Sequence, residues 1–173
     1  MIERKATEWM LLPLKRYAEF SGRSPRAEYW WFILFSILIS IPAGIIDAIM
    51  GAQLAGSLLS LGLFLPSLAV SVRRLHDLDR TGWWILAPLA VLLPTIAGAA
   101  LFGGMGAIGG LLGSKGAAGA GVGGAMLVIG LGLLVGGVLS LVLLVWYCMR
   151  GTQGPNSYGP DPLGPPENPT LYY

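Results

Sequence analysis

The chain has 173 residues, of which 12% are charged and 54% hydrophobic, and its mean hydropathy is +0.68. A soluble domain carries about 25% charged residues, so this composition excludes a water-soluble globular domain and makes lipid the solvent for much of the surface. The net charge of +2 is patchy: six of the eleven Lys and Arg residues precede residue 29, Arg73, Arg74 and Arg80 share one island, and Lys115 and Arg150 complete the set.

The first polar segment, Leu12 to Phe20, places Lys15, Arg16 and Glu19 among Leu14, Tyr17 and Phe20. It predicts a short interfacial helix with Pro13 at its first position. Ser24-Pro25 then predicts a helix start with Ser24 as cap and Glu28 in the first turns. Arg23 and Arg26 would stand at the headgroup level, where a planar guanidinium suits phosphate or carboxylate. A cleaved signal peptide is not expected, because the long charged stretch ahead of Tyr29 does not resemble an n-region.

Four apolar runs follow, and about 20 residues cross a hydrocarbon core. The predicted spans are 29–50, 54–72, 83–102 and 125–149. Aromatic residues open or close three of them: Tyr29-Trp30-Trp31, Trp83-Trp84 and Trp146-Tyr147. The first two spans are joined by so few residues that they form an antiparallel hairpin. Pro42, Pro66, Pro88 and Pro94 need neighbouring groups to satisfy the carbonyls they free. Eleven of the 22 residues from Gly103 to Gly124 are glycine, which argues for a flexible connection. The alternative is partly helical structure, since Gly109/Gly113 and Gly119/Gly123 have the spacing that lets membrane helices approach closely. Gly132 and Gly136 repeat that spacing inside the last span. Beyond Arg150, six prolines and four glycines exclude a continued helix and predict an irregular tail.

The fold class is therefore an all-α membrane protein: a four-helix transmembrane bundle with a short N-terminal interfacial helix and an irregular C-terminal tail. Its organisation is a segment 1–28, a membrane domain 29–149 and a tail 150–173. Lys and Arg are concentrated before the first span, between the second and third, and after the fourth, so both termini are expected in the cytoplasm.

The second polar island, Arg73 to Trp84, packs three Arg, Asp77, Asp79 and His76 between two spans. Self-neutralising ion pairs are one reading. Acid–base or pH-sensing use of His76 is another. A metal site is disfavoured by the short supply of ligands, even with Asn156 or Asp161 added, and the lone Cys148 reads as a packed thiol at a helix end. The third polar segment, Gly151 to Pro162, is shaped by Pro and Gly turns. It predicts a fold back over the bundle mouth, with Asp161 against Arg73, Arg74 or Arg80.

Three motifs in order carry a family resemblance. They are Phe20-Ser21-Gly22-Arg23 with Arg26, Glu28, Tyr29 and Trp30; Arg73-Arg74-Leu75-His76-Asp77 with Gly82-Trp83-Trp84; and Gly154-Pro155-Asn156-Ser157-Tyr158-Gly159-Pro160-Asp161-Pro162. On these the chain resembles the DUF805 family of small bacterial inner-membrane proteins, from about Leu12 to Pro162. The resemblance implies a multi-pass inner (plasma) membrane protein and supplies no activity. The Gly103 to Gly124 stretch looks longer than the family pattern.

All three motifs fall on the side expected to be cytoplasmic. Arg23, Arg26, Glu28, Arg73, Arg74, His76, Asp77, Arg80, Asn156 and Asp161 are thus the candidate binding residues. Arg23, Arg26, Arg73 and Arg74 would exceed Glu28 and Asp77 by two positive charges, which predicts an anionic ligand, most simply a lipid phosphate. No nucleophile–base pair is recognisable, so the reading leans away from an enzyme, and no cofactor or nucleic-acid partner is expected. The expected function is a non-enzymatic module binding anionic lipid or a protein partner. The alternatives are a small transporter or channel using Asp47 and the proline-broken helices, or a headgroup enzyme using His76 and Asp77. A homo-oligomer through Gly132/Gly136 is also open.

Overall fold

The computed structural model describes residues 5–164; residues 1–4 of the predicted N-terminal segment and 165–173 of the predicted tail lie outside them. The order is α1 (Ala6–Lys15), α2 (Arg26–Met50), α3 (Ala55–His76), a short 3₁₀ helix (Gly82–Leu86), α4 (Ala87–Leu111) and α5 (Lys115–Cys148). Among the described residues four helical stretches are long and apolar enough to cross a membrane, the 3₁₀ turn and α4 counting as one. The chain divides into two units. The first comprises residues up to 82 together with those from 146, and the second is residues 83–145.

In the first unit α1 packs against α2 and α3. It does not begin at Pro13: the helix starts at Ala6 and Pro13 is buried near its last turn. Without an amide hydrogen, Pro13 cannot donate to the helical ladder, and the helix ends soon after it. The Tyr17 hydroxyl then ties the following turn to α3 by donating to the Gly62 carbonyl (2.6 Å). Nor is Ser24 a cap. Pro25 occupies the N-cap position of α2, with no side-chain cap bond. Ser24 is fully buried and its amide donates to the Arg73 carbonyl (3.1 Å), which fixes the start of α2 beside the end of α3.

The α2–α3 hairpin turns through Gly51 (φ 66°), a left-handed position natural to glycine. Asp47 caps the next helix from the previous one: its two carboxylate oxygens accept from the amides of Ala55 (2.7 Å) and Gly56 (2.8 Å). A carboxylate at an otherwise apolar helix end is thus matched to the first amides of α3.

The side-chain distribution is inverted relative to a soluble protein. Ile49 is 79% exposed and Leu61 72%, while Arg73, Arg74 and Glu28 are among the largest fully buried side chains. Lipid solvates the apolar flanks, so the interior at one end is left for the charges.

The second unit corrects the expectation for residues 103–124. The stretch is helical except for a turn at 112–114, where Gly113 has φ 75°. Glycine's helix penalty is measured in water; in lipid an unpaired backbone group costs more than the lost propensity. The glycines instead set a close antiparallel seam between α4 and α5. A methyl on Gly121 would overlap the Gly106 backbone, one on Gly124 would strike Phe102, one on Gly98 Val128, and one on Gly132 Thr95. Gly119, Gly123 and Gly136 face open space. The repeats visible in the sequence are therefore mostly not the contacting ones. All four apolar helices differ somewhat from the predicted spans, most at α5, whose 34 residues are about 51 Å long.

Candidate functional site

The polar end of the first unit is organised around Asp77, which follows α3 directly. Its Oδ1 pairs with Arg23 (3.0 Å to Nη2; 3.1 Å to Nε) and its Oδ2 with Arg74 (2.5 Å). All three residues are buried. Burial pushes the Asp77 carboxyl up, opposed by Arg74 and Arg23. Arg73, on the other face of α3, pairs with Glu28 of α2 at 3.1 Å, both fully buried.

Two guanidiniums on one carboxylate leave donors over, and the backbone takes them. Arg74 donates to the carbonyls of Tyr147 (3.3 Å), Trp146 (3.4 Å) and Met149. The indole of Trp30 donates to Tyr147 (3.3 Å) and Arg26 to Cys148 (3.3 Å). These carbonyls lie at the C-terminal end of α5, where helical carbonyls lack intrahelical partners and the dipole is negative. Tyr147 also stacks on Tyr29 at 4.6 Å. Arg23 donates to the tail carbonyls of Thr152 (2.5 Å), Gly154 (2.6 Å) and Gly159 (3.4 Å). The balancing acceptors for Arg23 and Arg74 thus come from within the chain, whereas Arg73 has the Glu28 ion pair and the Ala69 carbonyl (3.4 Å), its two terminal nitrogens making no hydrogen bond among the described residues. Of the four guanidiniums expected to face an external anion, Arg26 alone is exposed.

The tail is seated by complementary contacts. Thr152 donates its amide to the Asp77 carbonyl (2.9 Å), and Asn156 donates to the His76 carbonyl (2.8 Å) and to Thr152 Oγ1 (2.9 Å). The His76 ring stacks on Tyr158 (3.9 Å, 7°), with Nδ1 3.2 Å from the Gly22 carbonyl. Asp79, in a left-handed conformation, accepts from the Ser157 amide (3.2 Å). Gly151 approaches so closely that a methyl there would overlap the Asp77 carboxylate.

The expected clamp by Asp161 is not what holds the tail. Asp161 accepts from the amides of Leu163 (2.9 Å) and Gly154 (3.1 Å), and makes no ion pair with the island among the described residues. These bonds, Leu163's first, hold its carboxyl below the usual range. Arg80 lies over the Trp146 ring at 4.0 Å, a cation–π contact. Among the described residues no three His, Cys, Asp or Glu side chains converge as a metal site would require.

Beside this hub a groove of about 1030 Å³ opens between the start of α2 and the tail. Arg26, Trp30, Trp31 and Leu34 form the α2 wall; Arg150, Gln153, Asp161 and Leu163 are on the tail side. Arg26, Arg150 and Gln153 are exposed. Sequence reasoning missed Arg150 and Gln153. Their signal was the placement of Arg150 immediately after the last apolar run, opposite Arg26 immediately before the first.

Comparison with known proteins agrees with the three motifs. Residues 17–160 match the model of the family described as "Protein of unknown function (DUF805)". The chain is 32% identical to inner membrane protein YhaH of Escherichia coli (strain K12), covering 90% of this chain and 96% of that protein. It is 33% identical to inner membrane protein YhaI of the same strain, covering 90% and 95%. No solved structure matches. With its motifs converging on one buried hub at the end of apolar helices, this integral membrane chain belongs to the DUF805 family.

Proposed function

We propose that the protein is a non-enzymatic inner-membrane module whose polar end lies in the cytoplasm and holds the phosphate of a membrane lipid in the groove between α2 and the tail. One observation carries the reading: two exposed guanidiniums, Arg26 and Arg150, flank a groove whose wall continues into Trp30, Trp31 and Leu34. A phosphate with attached acyl chains matches that sequence of charged, amphipathic and apolar groups. The first amides of α2, at Arg26 and Ala27, have no capping side chain and add donors at the same place. Arg23, Arg73 and Arg74 are the frame of this site. α1, with Lys15 and Arg16 near its end, would lie at the headgroup level beside it.

The transport reading has less support. Asp47, the acidic residue nearest a span interior, has both oxygens on helix amides. Orientation follows from the Lys and Arg excess before α2, between α3 and α4, and after α5. A Ser157→Cys substitution in a Cys148→Ala background tests it: the thiol should react from the cytoplasm, and labelling from the periplasm alone would reverse the topology. The lipid reading is tested by native mass spectrometry of the purified protein. Arg26→Gln with Arg150→Gln should lose retained phospholipid, whereas equal retention in parent and variant would refute the groove as its site.

A further inference from the structure

We infer that the α4–α5 hairpin is built for more hydrocarbon than an ordinary bilayer offers, and that it gathers long-chain phospholipids around its glycine-rich tip. From Thr81 to Met149 the one charged residue is Lys115, at the turn between the two helices. The first leg, Gly82–Leu111, has 30 residues. With its 3₁₀ entry at about 2.0 Å and α4 at about 1.5 Å per residue, it is about 45 Å long. On α5, Lys115 to Val145 is also about 45 Å. In α2, by contrast, Trp30 to Met50 is about 30 Å, the thickness of a hydrocarbon core. About 20 residues cross that core, which counted from Trp84 and from Val145 ends near Gly104 and Ala125. The glycine-rich stretch 103–124 is therefore the excess length.

The surface of that excess suits lipid. Met105, Ile108, Leu111, Leu112 and Val122 are exposed, Leu111 by 87%, and a contiguous apolar surface in water is an association hazard. A protein partner would cover one flank. Here the seam residues Gly106, Gly109 and Gly121 are buried, and nearly all the remaining circumference of the tip is open and apolar, the pattern of helices solvated by lipid. The pair also holds itself together: a methyl on Gly121 would overlap the Gly106 backbone, and one on Gly109 would meet Ala117. Lys115 then marks the far headgroup level, which its long stem reaches. Tilting absorbs part of the mismatch. A 45 Å leg projects to about 42 Å at the average tilt of about 20°, and to about 34 Å at 40°, the top of the usual range. Both exceed the core, and longer-chain lipid removes the remainder at the lowest cost in bilayer deformation.

Nanodiscs made from equal amounts of dimyristoleoyl and dierucoyl phosphatidylcholine, which differ only in chain length, test this by native mass spectrometry of the lipids that stay with the protein. The parent should retain the longer lipid over the shorter by about five-fold, the scale of a mismatch of several Å. Ile108→Lys with Val122→Lys, both on exposed positions away from the seam, leaves about 34 Å of apolar α5, which a tilt of about 30° fits to the core. In that double variant the ratio should fall to about one; a lipid held in the groove beside α2 is common to both proteins and cancels. Equal retention of the two lipids by the parent, or an unchanged ratio in the double variant, overturns the inference. Thiol labelling in a Cys148→Ala background keeps the test open if the double variant fails to insert. In dioleoyl nanodiscs Ile108→Cys should react with a water-soluble maleimide about ten-fold more slowly than Ser114→Cys at the turn. Equal rates would put the tip in water and overturn the inference. Slow labelling with a dimeric mass and no preference between the lipids would assign the flank to a second copy, which overturns it as well.

Discussion

Replacing Gly151 by alanine is the sharpest perturbation of the hub, because only a methyl group changes. Gly151 does not have a positive φ, so alanine is acceptable to the backbone there. The methyl nevertheless overlaps the Asp77 carboxylate, and the overlap has two outlets. The carboxylate can move, but it holds Arg23 and Arg74 in a buried setting, and breaking a buried pair costs about 3–5 kcal/mol. The tail can instead step back, losing the neutral bond from Thr152 to the Asp77 carbonyl and the charged bond from Arg23 to the Thr152 carbonyl. That loss is about 2–4 kcal/mol, so the tail yields and the Arg23–Asp77–Arg74 core stays. The population with an undocked tail should rise about 30- to 800-fold, and hydrogen exchange at the Thr152 and Ser157 amides, which bond Asp77 and Asp79, should accelerate accordingly. Parent-like exchange in a folded Gly151→Ala protein would refute the close seating of the tail on Asp77. Fast exchange at the end of α3 as well would show that the carboxylate, not the tail, gave way.

In the second unit, Gly121→Ala should lower stability in detergent by about 1–3 kcal/mol, since its methyl meets the Gly106 backbone. Gly119→Ala, facing open space, should stay within about 0.5 kcal/mol of the parent, and equal effects in thermal melts would dismiss the seam. Acid should loosen the tail's own turn between Gly154 and Leu163 through Asp161: its folded pKa lies below the unfolded one, so that turn gains from it above about pH 4 and loses that gain as pH falls through the folded value. Tail exchange in Asp161→Asn should lack this acid dependence, while the Asp77 shift, opposite in sign, is common to both proteins.

The apolar helices were legible in the sequence because lipid demands long uncharged runs, and no other pattern competes with that signal. The convergence of the three motif segments was legible too, and Arg23, Asp77 and Asn156 do come to one place. The partner assignments were not. Counting side-chain charges suggests an unfilled excess around Arg23, Arg26, Arg73 and Arg74, and sends Asp161 to Arg73, Arg74 or Arg80. The acceptors that absorb the excess are the carbonyls of residues 146–149, 152 and 154, and a carbonyl is the same for every residue type. Residues 103–124 misled for a related reason: a glycine's effect depends on its solvent and on the facing atom, and Gly121 gains its role only from Gly106 across the hairpin. The helix start at Arg26 was legible to within a turn, but Ser24 turned inward to Arg73 because tertiary packing outweighed a local cap.

The seating of the tail on Arg23 has a consequence for biogenesis. Arg23 leaves the ribosome early, Asp77 in mid-synthesis and Thr152 near the end, yet all three meet in one buried cluster. Translation runs at about 5–20 residues per second, so roughly 130 residues separate Arg23 from its last acceptors by about 6–26 s. During that interval the α2–α3 hairpin can pair Arg23 and Arg74 with Asp77, but the remaining guanidinium donors have only water or headgroups to bond. The finished tail therefore acts as a seal applied after insertion. A nascent chain stalled before Trp146 exposes two partly bonded arginines at the membrane surface, the kind of unfinished polar patch on which quality-control proteases can discriminate.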